Sequence, residues 1–449
     1  MFFKKKYPEW FSEINRIRPS RAKETGCFAP QSNMYFRIDG SVTSCCHNWS
    51  YKIGHYPSQN IKDIWQSDQK KILQKSLDSF DFSLGCYRCF MSIKSRNISG
   101  TGLLDFDRFK NKTAFPMCIE FELESDCNLQ CIMCTRNIHE LKKTKKMQEN
   151  NLTEIYDTKF INELKEFIPF LKEAKFYGGE PFYIESYYKI WELILAINPA
   201  CEISMQTNGT ILNDRIKEIL SKGRFNIGIS IDSIKSDTYE FIRKGAGFEK
   251  VIENLLFFQN YCKSKKTYFG ISICPIKKNM YEIPEIINYF EKLNIPVFLN
   301  TVLLPPAHAL WTLSANEIEK YHSFLKESYE LEEVNFTPET KKVYLSFIQL
   351  IHAWQKKALI NEKEKESLFI LAENVIKVKI KEKILQAGNK TNKEIKIETI
   401  NSFIHELLNN IPISLHKKAL INLFLLDDRL IIEIISEEEK YVADFISQY

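Results

Sequence analysis

An α/β fold, a partial (β/α)6 TIM-like barrel, is predicted by three features of the sequence. Strand-like and helical runs alternate from Phe115 to Leu304, a cysteine-bearing loop follows the first strand-like run, and the regions on either side lack this alternation. The strand candidates are Met117–Leu123, Glu173–Tyr177, Glu202–Gln206, Asn226–Ile231, Tyr268–Cys274 and Val297–Leu303. Helical runs at Asp157–Leu171, Ile184–Ile197, Leu212–Lys222, Phe248–Lys263 and Tyr281–Leu293 lie between them. Strand and helix in this rhythm form parallel βαβ units. Chemistry in such barrels sits at the C-terminal ends of the strands, which is where the cysteine loop falls.

Residues 1–110 form a small α+β module of short strands and turns around cysteines, with a hairpin at Tyr35–Val42 and one amphipathic helix over Ile61–Ser76. From Leu313 onward the pattern is α-helical. Ser314 with Glu317 has capping-box spacing, and Thr337-Pro338-Glu339 is a second helix start. The run Gly388–Glu394 reads as a polar loop. The expected organisation is an extension over 1–26, a cysteine-rich module over 27–109, the barrel over 110–310 and a helical region over 311–449.

Composition narrows the function classes. With 44% hydrophobic residues the chain can bury a large core, and 62 basic against 57 acidic residues give no case for nucleic-acid binding. No apolar run reaches the length of a membrane span, and the N-terminal Lys4-Lys5-Lys6 is not followed by an apolar segment, so a cytoplasmic protein is expected.

Twelve cysteines in such a chain point to metal or redox chemistry rather than to disulfides. Cys127, Cys131 and Cys134 form C-x3-C-x2-C, and three thiolates hold three irons of a cubane, leaving the fourth iron open for chemistry. Cys27, Cys45, Cys86 and Cys89 form a second group, in which Cys46 competes with Cys45 as the ligand. Cys118, Cys201 and Cys274 lie in apolar runs and read as small buried hydrophobes.

The first cysteine group and several elements after it resemble the radical S-adenosylmethionine (AdoMet) enzymes. Tyr177-Gly178-Gly179-Glu180-Pro181 is similar to the family's Gly-Gly-Glu-Pro segment, and Thr207-Asn208-Gly209 to its Thr-Asn-Gly turn. Ser230 and Asp232 end the fourth strand, with Arg243 and Asn279 further on. The resemblance implies that Tyr177, Gly178, Gly179, Glu180, Pro181, Thr207, Asn208, Ser230, Asp232, Arg243 and Asn279, together with Met133 in the cysteine loop, surround AdoMet. Met133 is a departure, because relatives often carry an aromatic residue there.

Gly40 precedes Cys45 by Gly-x4-Cys, and Cys86-x2-Cys89 follows. With Cys27 and the segment Asn60–Trp65 this resembles the twitch, or SPASM, module, which implies an auxiliary 4Fe-4S cluster. A structural zinc ion would satisfy the same four cysteines. In relatives the module usually follows the barrel, whereas here it precedes it.

The resemblance implies reductive cleavage of AdoMet to a 5′-deoxyadenosyl radical that abstracts a substrate hydrogen, with an electron donor such as flavodoxin or ferredoxin. It leaves the substrate open between a peptide, to be modified, and a small alcohol or sugar, to be oxidised. A non-catalytic metal-binding scaffold is the reading from another class. The roughly twenty-six residues ahead of Cys27 are too few for a separate peptide-binding domain. His139 and His308 flank the barrel as candidate proton carriers, Asp427-Asp428-Arg429 is a candidate polar contact, and Cys46, Cys118 and Cys274 are candidate hydrogen donors. No catalytic residue is identified.

Overall fold

The computed structural model describes residues 7–48, 50–94, 101–109, 114–135, 147, 154–332, 335–391, 395–426, 428, 431, 432 and 435. His139, Asp427 and Arg429 lie outside the described residues. The chain divides into two compact units, one of residues up to Ile273 with Tyr289–Phe298, the other of Cys274–Asn288 and the residues from Leu299 onward.

The strands are β1 (Asn33–Phe36), β2 (Ser41–Thr43), β3 (Gly54–His55), β4 (Cys118–Phe121), β5 (Gln130–Cys131), β6 (Glu173–Phe176), β7 (Glu202–Thr207), β8 (Arg224–Ser230), β9 (Arg243–Lys244), β10 (Phe269–Ile273) and β11 (Val297–Leu299). Among the described residues nine of them form one sheet in the order β11-β10-β8-β7-β6-β4-β1-β2-β3, and β5 pairs with β9. All six expected barrel strands are present in chain order. The N-terminal module extends their sheet, because β1 pairs parallel to β4 in the register Asn33↔Cys118 to Phe36↔Phe121. The β1–β2 hairpin is antiparallel, as its sequence predicts. Gly40 in its turn has φ +81°, and a Cβ there would lie 2.3 Å from the Tyr56 carbonyl, so only glycine fits.

Side chains alternate across this sheet. Ile119, Phe121, Phe176, Ile203, Ile227 and Ile229 are buried on its convex face. There Phe121 meets Phe160 of helix Thr158–Leu164, and Phe176 meets Trp191 of helix Glu185–Ile197. The opposite face carries Glu120, Glu173, Lys175, Glu202, Ser204, Gln206, Asn226 and Ser272, aligned by the registers Glu120↔Lys175, Lys175↔Ser204, Ser204↔Asn226 and Ser230↔Ser272.

Three expected elements differ. The helix expected over Ile61–Ser76 is two, Ile61–Gln66 and Asp68–Asp78, because Ser67 turns extended at ψ 151° and its hydroxyl caps the second by accepting from Lys70 N at 3.3 Å. The run Asp157–Leu171 gives a helix only to Leu164, then a 3-10 turn at Ile168–Phe170 around Pro169, which has no N–H to continue the ladder. The polar run from Gly388 begins inside a helix, Glu373–Thr391, since the packing of Ile376, Ile380 and Ile384 outweighs the local polarity. In the second unit both helix starts are as expected. Ser314 N donates to Glu317 at 2.9 Å while Glu317 N donates to the Ser314 hydroxyl at 3.3 Å, and Thr337 caps helix Pro338–Phe369.

Candidate iron–sulfur and AdoMet site

The loop after β4 carries Cys127, Cys131 and Cys134. Cys131 lies in β5, which pairs with β9 at Cys131↔Arg243, so the middle cysteine is held by backbone pairing to the segment that bears Arg243. Sulfur–donor contacts follow: Leu129 N and Asn208 Nδ2 approach the Cys127 sulfur at 3.4 and 3.8 Å, and Arg243 Nη1 approaches the Cys131 sulfur at 4.0 Å. Burial pushes the Cys131 thiol up to about 11, against the pull of the Arg243 cation. Cys134 is exposed, and Met133 beside it is half-buried.

Gly178 and Gly179 abut this loop. Gly178 has φ +105°, and a Cβ on Gly179 would lie 1.9 Å from the Asp126 carbonyl, so two glycines let the chain after β6 lie against the backbone of the cysteine loop. Glu180 N then donates to Asp126 O at 2.8 Å. The Glu180 carboxylate is buried and accepts from the Thr207 hydroxyl at 2.6 Å, Asn208 N at 2.6 Å and Phe182 N at 3.1 Å. It clamps the Gly-Gly-Glu-Pro segment to the Thr-Asn-Gly turn. Burial raises its pKa, opposed by those hydrogen bonds. Pro181 is buried beneath it.

Asn208 donates to Asn128 Oδ1 at 2.9 Å and accepts from Thr210, tying the turn to the cysteine loop. Ser230, at the end of β8, accepts from Gln206 at 2.9 Å. Asp232 and Arg243 form a buried ion pair at 2.8 Å. Tyr177, half-buried, faces the concave side. These residues and the three cysteines all belong to the first unit. Asn279 belongs to the second unit and closes its own turn, accepting from Ile276 N at 2.8 Å and donating to Cys274 O at 3.1 Å. His308 also lies there, its carbonyl accepting from Lys277 N at 3.0 Å.

Cys27, Cys45, Cys86 and Cys89 line one pocket with Ser44, Asn48 and Phe82. Cys27 accepts from Ala29 N and Cys86 from Asn48 Nδ2, each at 3.4 Å. Burial pushes Cys27 up to about 12 and Cys45 and Cys86 well above the usual thiol range, each further raised by the other cysteines. Cys46 points elsewhere, into hydrogen-bonding contact with Glu120. A zinc ion at a Zn–S distance of about 2.3 Å needs sulfurs roughly 3.8 Å apart. Among the described residues no three His, Cys, Asp or Glu side chains are gathered as a single metal ion requires.

Sequence reading missed the concave face. Glu173, Lys175, Tyr177, Ser204, Gln206, Asn226, Gly228 and Ser272, with Asp105 and Arg108 from the preceding segment, line a cavity of about 710 Å³. The signal was present: polar residues or glycine recur at every second position in Glu202-Ile-Ser-Met-Gln and Asn226-Ile-Gly-Ile-Ser, although parallel strands covered on both faces are apolar throughout. Cys118, expected to be a buried hydrophobe, is buried but faces this polar side, beside Glu173. Cys201 is buried, and Cys274 is half-exposed.

Fold and site together define a parallel α/β half-barrel with a three-cysteine loop at its mouth and a four-cysteine pocket in a module joined to its first strand. The radical SAM superfamily profile matches residues 125–290, and an iron-sulfur cluster-binding (SPASM) domain profile matches residues 27–90, so the chain carries a segment of each kind. The cofactors of these domains are 4Fe-4S clusters and AdoMet. Similar curated proteins include the GTP 3′,8-cyclase of Clostridium botulinum, 27% identical over 44% of this chain and 61% of its own length. The probable GTP 3′,8-cyclase of Methanocella arvoryzae is 24% identical over 46% and 60%. The chain thus spans about three fifths of these relatives. Among solved structures, anSMEcpe with bound AdoMet matches at 20% identity and TM-score 0.37 over 49% of this chain and 62% of its own. Streptococcus suis SuiB bound to precursor peptide SuiA matches at 14% and 0.32 over 54% and 52%. Among the described residues no helix is long and apolar enough to cross a membrane.

Proposed function

We propose that the chain is a radical AdoMet enzyme that abstracts hydrogen from a polar substrate held against the concave face of β6, β7, β8 and β10. Cys127, Cys131 and Cys134 hold the first 4Fe-4S cluster, and Cys27, Cys45, Cys86 and Cys89 hold an auxiliary one. When bound, the first cluster and AdoMet supply a 5′-deoxyadenosyl radical able to attack an unactivated C–H bond. An external one-electron donor such as a flavodoxin or ferredoxin reduces the protein.

The chain's own residues position and shelter this chemistry. Gly178 and Gly179 bring a side-chain-free backbone to the cysteine loop, and Glu180 fixes it there. Arg243, neutralised in part by Asp232, offsets charge beside Cys131. The carrying observation is the polar cavity, whose volume of about 710 Å³ is that of a small-molecule or peptide-segment site. Its lining cations among the described residues, Arg108 and Lys175, are both ion-paired with Glu173. That arrangement suits a neutral or amine-bearing substrate better than a triphosphate such as the GTP named for the curated relatives.

Anaerobic reconstitution tests the reading. About eight irons per chain are expected, two cubanes' worth, with 5′-deoxyadenosine formed on reduction. Cys131→Ala should keep about four irons and lose 5′-deoxyadenosine. A colourless, zinc-loaded protein, or undiminished turnover by that variant, refutes the proposal.

A further inference from the structure

Between the four-cysteine pocket and the barrel cavity lies a buried polar knot with three unanswered acceptors. Asn33 Nδ2 donates both to Ser44 O at 2.9 Å and to Glu120 Oε1 at 2.6 Å, and the Cys46 thiol meets the same carboxylate. Glu120 is therefore hydrogen-bonded, through Asn33 and Cys46, to the residues on either side of Cys45. Yet Asn33 Oδ1, Ser44 Oγ and Glu120 Oε2 have no partner, in residues exposed by 0%, 2% and 0%. An orphaned buried polar atom is costly, and an internal water is the usual way such atoms in neighbouring, hydrogen-bonded residues are satisfied.

The knot opens in two directions. Ser44 lines the cysteine pocket together with Cys45. On the other side Glu120 stands opposite Lys175 in the β4–β6 register, and Lys175 lines the cavity.

We propose that Glu120 is the proton-accepting partner of the auxiliary site: when that site takes up one electron, Glu120 takes up one proton from the cavity through a water seated between Asn33, Ser44 and Glu120. The physical reason is charge. An electron added in a low-dielectric interior is held more readily when a proton enters nearby, so the buried region gains no net charge. The groups facing Glu120 are Lys175, Glu173 and Tyr177 from β6 and its end, Cys118 on its own strand, Tyr35 on β1, and Cys46. Burial already favours its protonated form, while Lys175 and the hydrogen bonds from Cys46 and Asn33 hold it back. The step balances as one electron from an external one-electron reductant and one proton from solvent, with no bond broken in the chain. During substrate oxidation the same pairing would take an electron and a proton from the substrate radical.

This inference rests on the auxiliary cluster proposed above, so cluster loading is read first. Iron content and the electron paramagnetic resonance signal of the Cys131→Ala protein isolate the auxiliary site; an absent signal refutes the cluster, not the role of Glu120. With the signal present, the midpoint potential is followed against pH. The expected slope approaches about 59 mV per pH unit, the one-electron equivalent of a tenfold change, over the interval between the pKa of Glu120 in the two redox states. Glu120→Gln, which keeps the shape, should flatten it. A flat profile in the Cys131→Ala protein, or a slope surviving in Glu120→Gln, overturns the proposal. Should Glu120→Gln fail to take up iron, the redox-difference infrared spectrum of the Cys131→Ala protein decides. A carboxylic-acid C=O band appearing on reduction supports Glu120, and its absence overturns it.

Discussion

Glu180 sits in a motif whose resemblance implies contact with AdoMet, yet its carboxylate accepts from Thr207, Asn208 and Phe182 within the protein. Its role in the structure is to join the loops after β6 and β7 across the mouth of the barrel. Glu180→Ala would leave three buried donors unanswered, each costing about 1–3 kcal/mol where water cannot reach. Thermal unfolding should therefore show a loss of at least about 2 kcal/mol, since water entry relieves part of the sum. Unchanged stability would show that the clamp is dispensable. Cys45 and Cys46 likewise differ in direction. Adjacent in sequence, they are indistinguishable by spacing; the fold turns Cys45 toward Cys27, Cys86 and Cys89, and Cys46 toward Glu120.

The cysteine loop and the chain after β6 form one packed element. Gly179→Ala would place a methyl group 1.9 Å from the Asp126 carbonyl oxygen and 2.4 Å from that of Ser125, backbone atoms that cannot swing aside as a side chain would. The chain must shift, costing about 1–3 kcal/mol or more, and Cys127, which follows Asp126 directly, should move with it. Iron at the three-cysteine site should fall while iron at the four-cysteine site is kept, which metal analysis of Gly179→Ala alone, in a Cys86→Ser background and in a Cys131→Ala background would separate. Retention of both would show that the close approach is not needed. Most elements were legible because their periodicity is strong: all six barrel strands and both capped helix starts are where apolar alternation and Ser314, Glu317 and Thr337 put them. The break at Ser67 and the helix through Gly388 were not. A single serine that ends one helix and caps the next looks like helix interior in sequence, and a polar helix end looks like a loop.

For the first unit as a whole, the decisive feature is that β1 continues the barrel sheet, so the N-terminal module is an extension of the barrel rather than a tethered neighbour. A buried ion pair secures it: Arg18 donates to both oxygens of Asp107 at 2.8 Å, and to Thr25 O at 2.7 Å. Asp107 lies in the same segment as Asp105 and Arg108, which line the cavity. Arg18→Ala would leave Asp107 buried without its cation, at about 3–5 kcal/mol. The midpoint of denaturant unfolding should fall accordingly, and an unchanged midpoint would show the pair to be incidental. Local pattern was enough for the six barrel strands, the helical C-terminal region, the two cysteine groups and the chemistry that three thiolates with one open iron permit, because each depends on neighbours in the chain. The docking of the module through β1, the opposite directions of Cys45 and Cys46, the engagement of Glu180 and the polar cavity with Glu120 behind it arise between residues as far apart as Asn33 and Glu120. Such contacts come from sheet register and burial, which act through space and leave no periodic trace along the chain.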